Sequence, residues 1–329
     1  MDTAPGLGSP FLAPAYVSTV ARVRPGVRVA VAATARGLSF LPYERRGWYA
    51  ARPVGWPMSS AQAVVTDHFE DLVPLYRLTG AAGLHLVAFD HLAESQGAAL
   101  TEVTGRDAAP VVDLAGGAGR YLEDLRGRSK LVAQLANLAR RAEREMGELR
   151  FAVDDPDHAA LEQLLAWKRL QFERTGARDL LAVPANVELL HRLRDLRDPH
   201  CTGQLSTLYA GDRLVAAHLG LRSRREFVYW FPAYDRDRGR YMPGKQLFLR
   251  LLEALGDLGV ERVDLGKGED EYKTRFKTGD AQVLSGRVTR PSLAPAVHLA
   301  LSLRATTRRL AGPARTGHPA EPPVAAGGP

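Results

Sequence analysis

Cysteine is nearly absent: Cys201 stands alone among 329 residues. A lone cysteine excludes an internal disulfide and cannot by itself build a zinc site. It leaves Cys201 two readings, a structural thiol or a nucleophile. Long apolar runs are missing too. None approaches the roughly 20 residues that a membrane-crossing helix needs, so no integral membrane contact is expected. The opening stretch MDTAPGLGSPFLAPAYV has neither the basic start nor the long apolar segment of a secretory signal, and the expected location is cytoplasmic. Three catalytic signatures do not occur: the G-x-S-x-G elbow, the G-x-x-x-x-G-K-[ST] loop and the H-E-x-x-H metal motif. The run GGAGR at 116–120 lacks the full dinucleotide fingerprint and reads as a turn. No metal is expected.

Acidic residues are scarce at one end only. The formal net charge is +7, a balance that invites a nucleic-acid partner. From residue 286 onward, however, Arg287, Arg290, Arg304, Arg308, Arg309 and Arg315 face a single acid, Glu321. The preceding body is nearly neutral, so the basicity belongs mostly to a tail.

The body repeats itself. VRVAVAATARGLSFLP reads as strand, turn and strand, and QLSTLYAGDRLVAAH reads the same way. FEDLVPLYRLTGAAGLHLVAF reads as an apolar-periodic helix, a glycine stop and a strand; KQLFLRLLEALGDLGVERVDL repeats that plan. Gly80 matches Gly256, Gly83 matches Gly259 and Leu38 matches Leu214, each 176 positions apart (256 − 80). The spacing implies a duplicated α/β domain. Between the copies, Leu131, Leu135, Leu138, Ala142 and Met146 mark one face of a connecting helix. Its arginines Arg140, Arg141 and Arg144 form a solvated face or a surface for an anionic substrate. The expected division is an N-terminal half at 1–117, a connecting helix at 118–150, a C-terminal half at 151–290, and a basic helix with a disordered tail at 291–329.

In the second half, strands at 204–210, 214–221 and 226–232 precede a helix at 244–258, a strand at 260–265 and a closing strand at 281–289. This order makes a mixed sheet with a crossover helix. The loop YDRDRGRYMPGKQLF carries Arg236, Arg238, Arg240 and Lys245 to that helix's N-terminus, where backbone N–H groups and the helix dipole favour an anion. The matching first-half loop VGWPMSSAQAVVTDHF has no lysine or arginine after Arg52, so the second copy is the expected phosphate binder. Lys168 sits inside the apolar stripe of DHAALEQLLAWKRLQFERTG, either laying its stem along apolar surface or pointing its ammonium at a substrate. His218, on a strand's core-facing side, reads as a structural histidine or a base.

These residues carry a resemblance. The run from Tyr234-Asp235 through Pro243-Gly244 to Asp264, Gly266, Gly268, Tyr272 and Lys273, in DLGKGEDEYK, resembles the GNAT acetyltransferase domain of the cellulose-biosynthesis (CelD/BcsL-type) family. Its two-half layout is shared with Fem-type aminoacyl transferases, which take their acyl group from charged tRNA. The resemblance implies two tandem GNAT-like domains, the first degenerate and the second catalytic, with an acyl-CoA, acetyl-CoA above all, as co-substrate. It places the CoA pyrophosphate on Arg238, Arg240, Pro243, Gly244, Lys245 and Gln246, and the pantetheine arm beside Tyr229. Tyr272 is then the acid for the leaving thiolate, with Asp264, Glu269 and His218 as base candidates. Lys168, Tyr234, Asp235 and Lys273 become acceptor contacts. The Arg240-Tyr-Met-Pro-Gly-Lys stretch departs from the usual GNAT phosphate loop, with one glycine where two are common. The implied function is acyl transfer to an amine or hydroxyl of a small molecule or saccharide. An aminoacyl-tRNA donor and a non-catalytic role in exopolysaccharide assembly are the alternatives.

Overall fold

The computed structural model describes residues 7–34, 37–66, 75–268 and 270–289. Glu269 and the basic helix and tail expected at 291–329 lie outside the described residues. The described chain falls into two compact units, 7–108 with 282–289 and 109–281, so the units do not follow chain order.

In the first unit, helix α1 (Pro14–Val23) starts on a proline, whose fixed φ suits the first helical position. The strands β1 (Val27–Thr34), β2 (Gly37–Arg46), β3 (Ala50–Pro53) and β4 (Val65–Thr66) follow. Helix α2 (Leu75–Ala81) and strand β5 (Leu86–Ala93) complete the first copy, and β6 (Glu102–Asp113) runs past the unit's limit at residue 108. Leu41, Tyr43, Leu75, Leu78, Val87 and Phe89 form the unit's core.

The second unit opens with α3 (Ala118–Arg128), α4 (Leu131–Met146) and β7 (Leu149–Ala152). Helix α5 (His158–Thr175) is capped by Asp157, whose carboxylate accepts the Ala159 N–H at 2.8 Å, and ends at Gly176 in the left-handed region. Then come α6 (Pro184–Asp195), β8 (Thr202–Ala210), β9 (Arg213–Arg222), β10 (Glu226–Tyr234), α7 (Pro243–Asp257), β11 (Arg262–Asp264), α8 (Glu271–Phe276) and β12 (Gly279–Thr289). The sheet order within the unit is β6-β11-β10-β9-β8-β7, antiparallel except for β10 beside β11. Leu247, Phe248, Leu251, Leu252 and Leu255 of α7 recur at helical spacing and are buried with Phe227, Tyr229 and Val263. Each such side chain contributes about 2 kcal/mol of transfer free energy. This is the mixed α/β fold that the sequence implies.

Elements and contacts of the two halves recur at the 176-residue offset. Strands β2 and β9 span matching positions 176 apart (213 − 37). Backbone contacts repeat with the same offset: Leu84 N–H to Thr79 O at 2.9 Å matches Val260 N–H to Leu255 O at 3.0 Å. Leu86 N–H to Tyr49 O likewise matches Arg262 N–H to Arg225 O. The closing strands are exchanged. In the first unit Thr289 of β12 pairs with Leu86 of β5; in the second, Asp113 of β6 pairs with Arg262 of β11. The sequence reading gives the closing strand at 281–289 to the second half, and the structure pairs it with β5 instead. Period-two patterning reports which residues form a strand but not which neighbour it chooses.

Among the described residues, no helix is long and apolar enough to cross a membrane.

Candidate active site

β10 and β11 run parallel for three residue pairs, Glu226–Arg262, Phe227–Val263 and Val228–Asp264. β11 then ends while β10 continues to Tyr234. Between Val228 and Phe231 the register of β10 against β9 shifts. Such a bulge bends the strand and sharpens its twist, so β10 leaves its parallel neighbour from residue 229 onward.

His218 on β9 holds this bend. Its Nε2 accepts the Trp230 N–H at 2.9 Å, its ring stacks on Tyr229 at 4.1 Å, and the residue is fully buried. Burial first, and the positive charge of Lys168 second, keep the imidazole well below its usual pKa and therefore neutral. The proton then belongs on Nδ1, leaving Nε2 as acceptor. Gly220 makes the arrangement possible: a Cβ there would lie 2.3 Å from Phe227 and 2.6 Å from the His218 ring. The lone pair that a base would use is taken by a backbone N–H, which is the geometry of a support.

Lys168 reaches the same strand from α5. It is buried, its Nζ donates to Gln171 Oε1 at 3.0 Å, and it lies 5.9 Å from the Phe231 ring centre. Tyr272 of α8 stands beside Tyr229 and Phe248, with ring centres 6.1 and 6.3 Å away. Tyr272 and Tyr229 thus share one face of the bend.

The Asp264–Lys273 block is tied together internally. Asp264 Oδ1 accepts the Gly266 N–H at 2.8 Å. Gly266 and Gly268 adopt φ of 69° and 116°, which only glycine takes without strain. Lys273, 1 % exposed, pairs with Asp270 at 3.1 Å and donates to the Gly266 and Lys267 carbonyls at 3.3 and 3.0 Å. The expectation that Lys273 touches an acceptor fails on this geometry: its ammonium is buried and spent on shaping the loop. Glu226, not singled out in the sequence, lies one strand from Asp264. Burial, and secondarily the Asp264 charge, raise its carboxyl against the pull of Arg262. Its signal was the acid opening EFVYWF on the side of the strand opposite Phe227 and Tyr229.

The loop before α7 makes a short 3₁₀ turn at Arg236–Tyr241, capped by Asp235, whose carboxylate accepts the Asp237 N–H at 3.0 Å. Met242 takes a left-handed conformation at φ 51°, rare for a side chain of its size, and no side chain caps α7. Pro243 has no N–H, so the Gly244 and Lys245 amides begin the helix. Tyr234 lies against Gly244, 3.3 Å from where a Cβ would stand. Two of the residues expected to bind phosphate are committed elsewhere. Gln246 donates to the Tyr241 carbonyl at 2.8 Å, and Arg240 pairs with Glu145 of α4 at 2.9 Å. Glu145, hydrogen-bonded first to Arg141 and then to Tyr241, is held down to about 2. Arg238 differs: its Nε is buried without a partner among the described residues, a donor awaiting an acceptor.

Among the described residues, the first unit has no such opening. β3 pairs with β5 only through Ala50–Leu86 and Ala51–Val87. Beyond these the chain covers its own edge. Gln62 N–H donates to His91 O, Gln62 O accepts from Ala93 N–H, and its side-chain oxygen accepts the Asp90 and His91 N–H groups at 3.0 and 3.1 Å. Trp56 Nε1 donates to Asp90 at 2.9 Å. At the position of Gly220 stands Glu44, buried between Arg24 and Arg52. Cys201 is buried, which pushes its thiol up to about 12 and leaves it inert at neutral pH.

Residues 129–274 match the family model described as an acetyltransferase (GNAT) domain. That stretch is similar to a GNAT acetyltransferase domain. The match spans the bend, the phosphate-loop candidate and all of α7. Among solved structures, FemX superposes with a TM-score of 0.57 at 10 % identity, over 86 % of this chain and 93 % of FemX. A structure named as the C-terminal domain of a lysylphosphatidylglycerol synthetase from Agrobacterium fabrum gives 0.52 at 15 % identity, over 87 % and 90 %. A conserved protein of unknown function from Bacteroides thetaiotaomicron gives 0.52 at 11 %, over 87 % and 92 %. At these identities the likeness is one of fold. No curated protein sequence matches.

Proposed function

We propose that the chain transfers an acyl group, acetyl above all, from acyl-CoA to an amine or hydroxyl, using the gap beside β10 in the second unit. The observation that carries this reading is the parting of β10 from β11 after Val228, fixed by the His218–Trp230 hydrogen bond. An extended pantetheine arm needs a strand edge to lie along, and the bend supplies one. The pyrophosphate goes to the uncapped start of α7, with Gly244 N–H, Lys245 and the unpartnered Arg238 Nε as its donors.

In the transfer, the acceptor's N or O attacks the thioester carbonyl carbon. A carboxylate takes the acceptor's proton, and the C–S bond breaks. Tyr272 delivers its phenolic proton to the departing thiolate. Asp264, whose Oδ1 accepts the Gly266 N–H at 2.8 Å, is the candidate base; Glu226 lies on the opposite side of β10 from Tyr229. His218 is a positioning residue in this scheme. Lys168, beside Phe231, is the contact offered to the acceptor. The resemblance of DLGKGEDEYK to the cellulose-biosynthesis type is compatible with a saccharide acceptor.

Release of free CoA thiol in the presence of a panel of amines and sugars tests the reading. Tyr272→Phe is expected to lower kcat about 100-fold with little change in KM for acyl-CoA, the size of one lost general acid. Turnover that Tyr272→Phe leaves intact rejects the role; turnover only with aminoacyl-tRNA replaces the donor.

A further inference from the structure

The loop that opens α7 is fastened to α4 at one carboxylate. Glu145 Oε2 accepts the Tyr241 hydroxyl and the Arg240 guanidinium, the latter at 2.9 Å, while Oε1 accepts Arg141 Nε at 2.6 Å. The Arg240 guanidinium also lies over the Tyr241 ring, 4.7 Å from its centre, and donates to its hydroxyl at 2.5 Å. Tyr241 is buried, and its carbonyl accepts Gln246 Nε2 of α7 at 2.8 Å. Both ends of the tyrosine are therefore held, one by each helix.

The next residue carries the strain. Met242 is left-handed at φ 51°, a conformation that a side chain of its size keeps only where the surroundings impose it. It joins the Arg236–Tyr241 turn to the uncapped start of α7, the place proposed above for the pyrophosphate. The α4 side of the fastening is fixed too. Gly147, which ends α4 at φ 98°, packs on Gly211, whose Cα lies 3.1 Å from where a Cβ would stand.

Charge and position make opposite demands on Glu145. Its carboxyl, held down to about 2 by Arg141 first and Tyr241 next, is ionised at neutral pH. A negative charge beside Arg240 repels an incoming phosphate. Three donors nonetheless converge on it, and two of them belong to the loop.

We propose that Glu145 is a positioning residue for the donor-phosphate site: through Tyr241 it holds residues 236–242 so that Arg238 and the first amides of α7 face the phosphate. The role rests on the acyl-CoA reading of the second unit. Glu145 itself touches no phosphate, and Arg240 is a strap rather than a ligand.

Calorimetric titration of the full chain with acetyl-CoA and amide exchange across 236–246 test this together. Glu145→Ala is expected to weaken binding roughly tenfold, the size of one lost charge-assisted hydrogen bond. Tyr241→Phe should match it, and the double variant should be no worse than either, because both remove one shared contact. Glu145→Gln, whose amide oxygen still accepts the Tyr241 hydroxyl, should keep most of the affinity. Exchange across the loop should quicken in Glu145→Ala and Tyr241→Phe but not in Glu145→Gln. Unchanged or tighter binding by Glu145→Ala makes the carboxylate a bare charge and overturns the proposal. Additive losses in the double variant, or loop exchange indifferent to Glu145, overturn it as well. An unsubstituted chain that binds no acetyl-CoA removes the donor reading instead, and the exchange rates alone then decide whether Glu145 holds the loop.

Discussion

His218 Nε2 accepts the backbone N–H of Trp230 at 2.9 Å, and that bond spans the bend where β10 leaves β11. A glutamine amide oxygen can replace the acceptor; a leucine cannot. His218→Leu leaves a buried N–H without a partner, at a cost of about 1–3 kcal/mol. The expected outcome is a lowered unfolding free energy and a rise of tenfold or more in KM for acyl-CoA. His218→Gln should recover most of both. Denaturant unfolding combined with steady-state kinetics checks the pair. Equal kinetic damage from both substitutions makes His218 a chemical participant after all.

The same histidine predicts a pH dependence. Its folded pKa is depressed, so below the unfolded value near 6.5 the unfolded chain binds the extra proton first. Stability is full above about pH 6.5 and falls as the pH drops, by at most about 1.4 kcal/mol per pH unit from this group. Unfolding midpoints at pH 7.5, 6.0 and 5.0 should decline, and His218→Gln should flatten the slope by one proton's worth.

Lys273 and Asp270 form a buried ion pair inside the glycine loop. Lys273→Met strands Asp270 and frees the Gly266 and Lys267 carbonyls, an expected loss of about 3–5 kcal/mol. Adding Asp270→Asn should return part of that stability. Activity should fall in both variants, because the loop precedes Tyr272. Thermal unfolding of the single and double variants measures the coupling.

Much of this was legible in the sequence, for identifiable reasons. The helix of Leu247, Leu251 and Leu255 and the strands around Gly211 follow from periodicity, and the 176-residue repeat predicts even the backbone contacts of Tyr49 and Arg225. The residue types of DLGKGEDEYK pointed to the region that holds the candidate site. What each side chain does there was not legible. Lys273 and Gln246 look like ligands in one dimension, yet their partners are carbonyls fixed by glycine φ angles and turn geometry. Arg240 is claimed by Glu145, almost a hundred residues earlier. The exchange of β6 and β12 is a choice between equivalent sheet edges, which no local pattern encodes.

The most direct test of the central claim is calorimetric titration of the whole chain with acetyl-CoA. The account predicts one saturable site per chain, because Gln62 and Trp56 fill the first unit's equivalent gap and the second unit's stays open. Arg238→Ala with Lys245→Ala should weaken that site at least tenfold, while Arg240→Ala, whose guanidinium already serves Glu145, should do much less. Two equivalent sites, no binding, or an affinity indifferent to Arg238 and Lys245 would contradict the account.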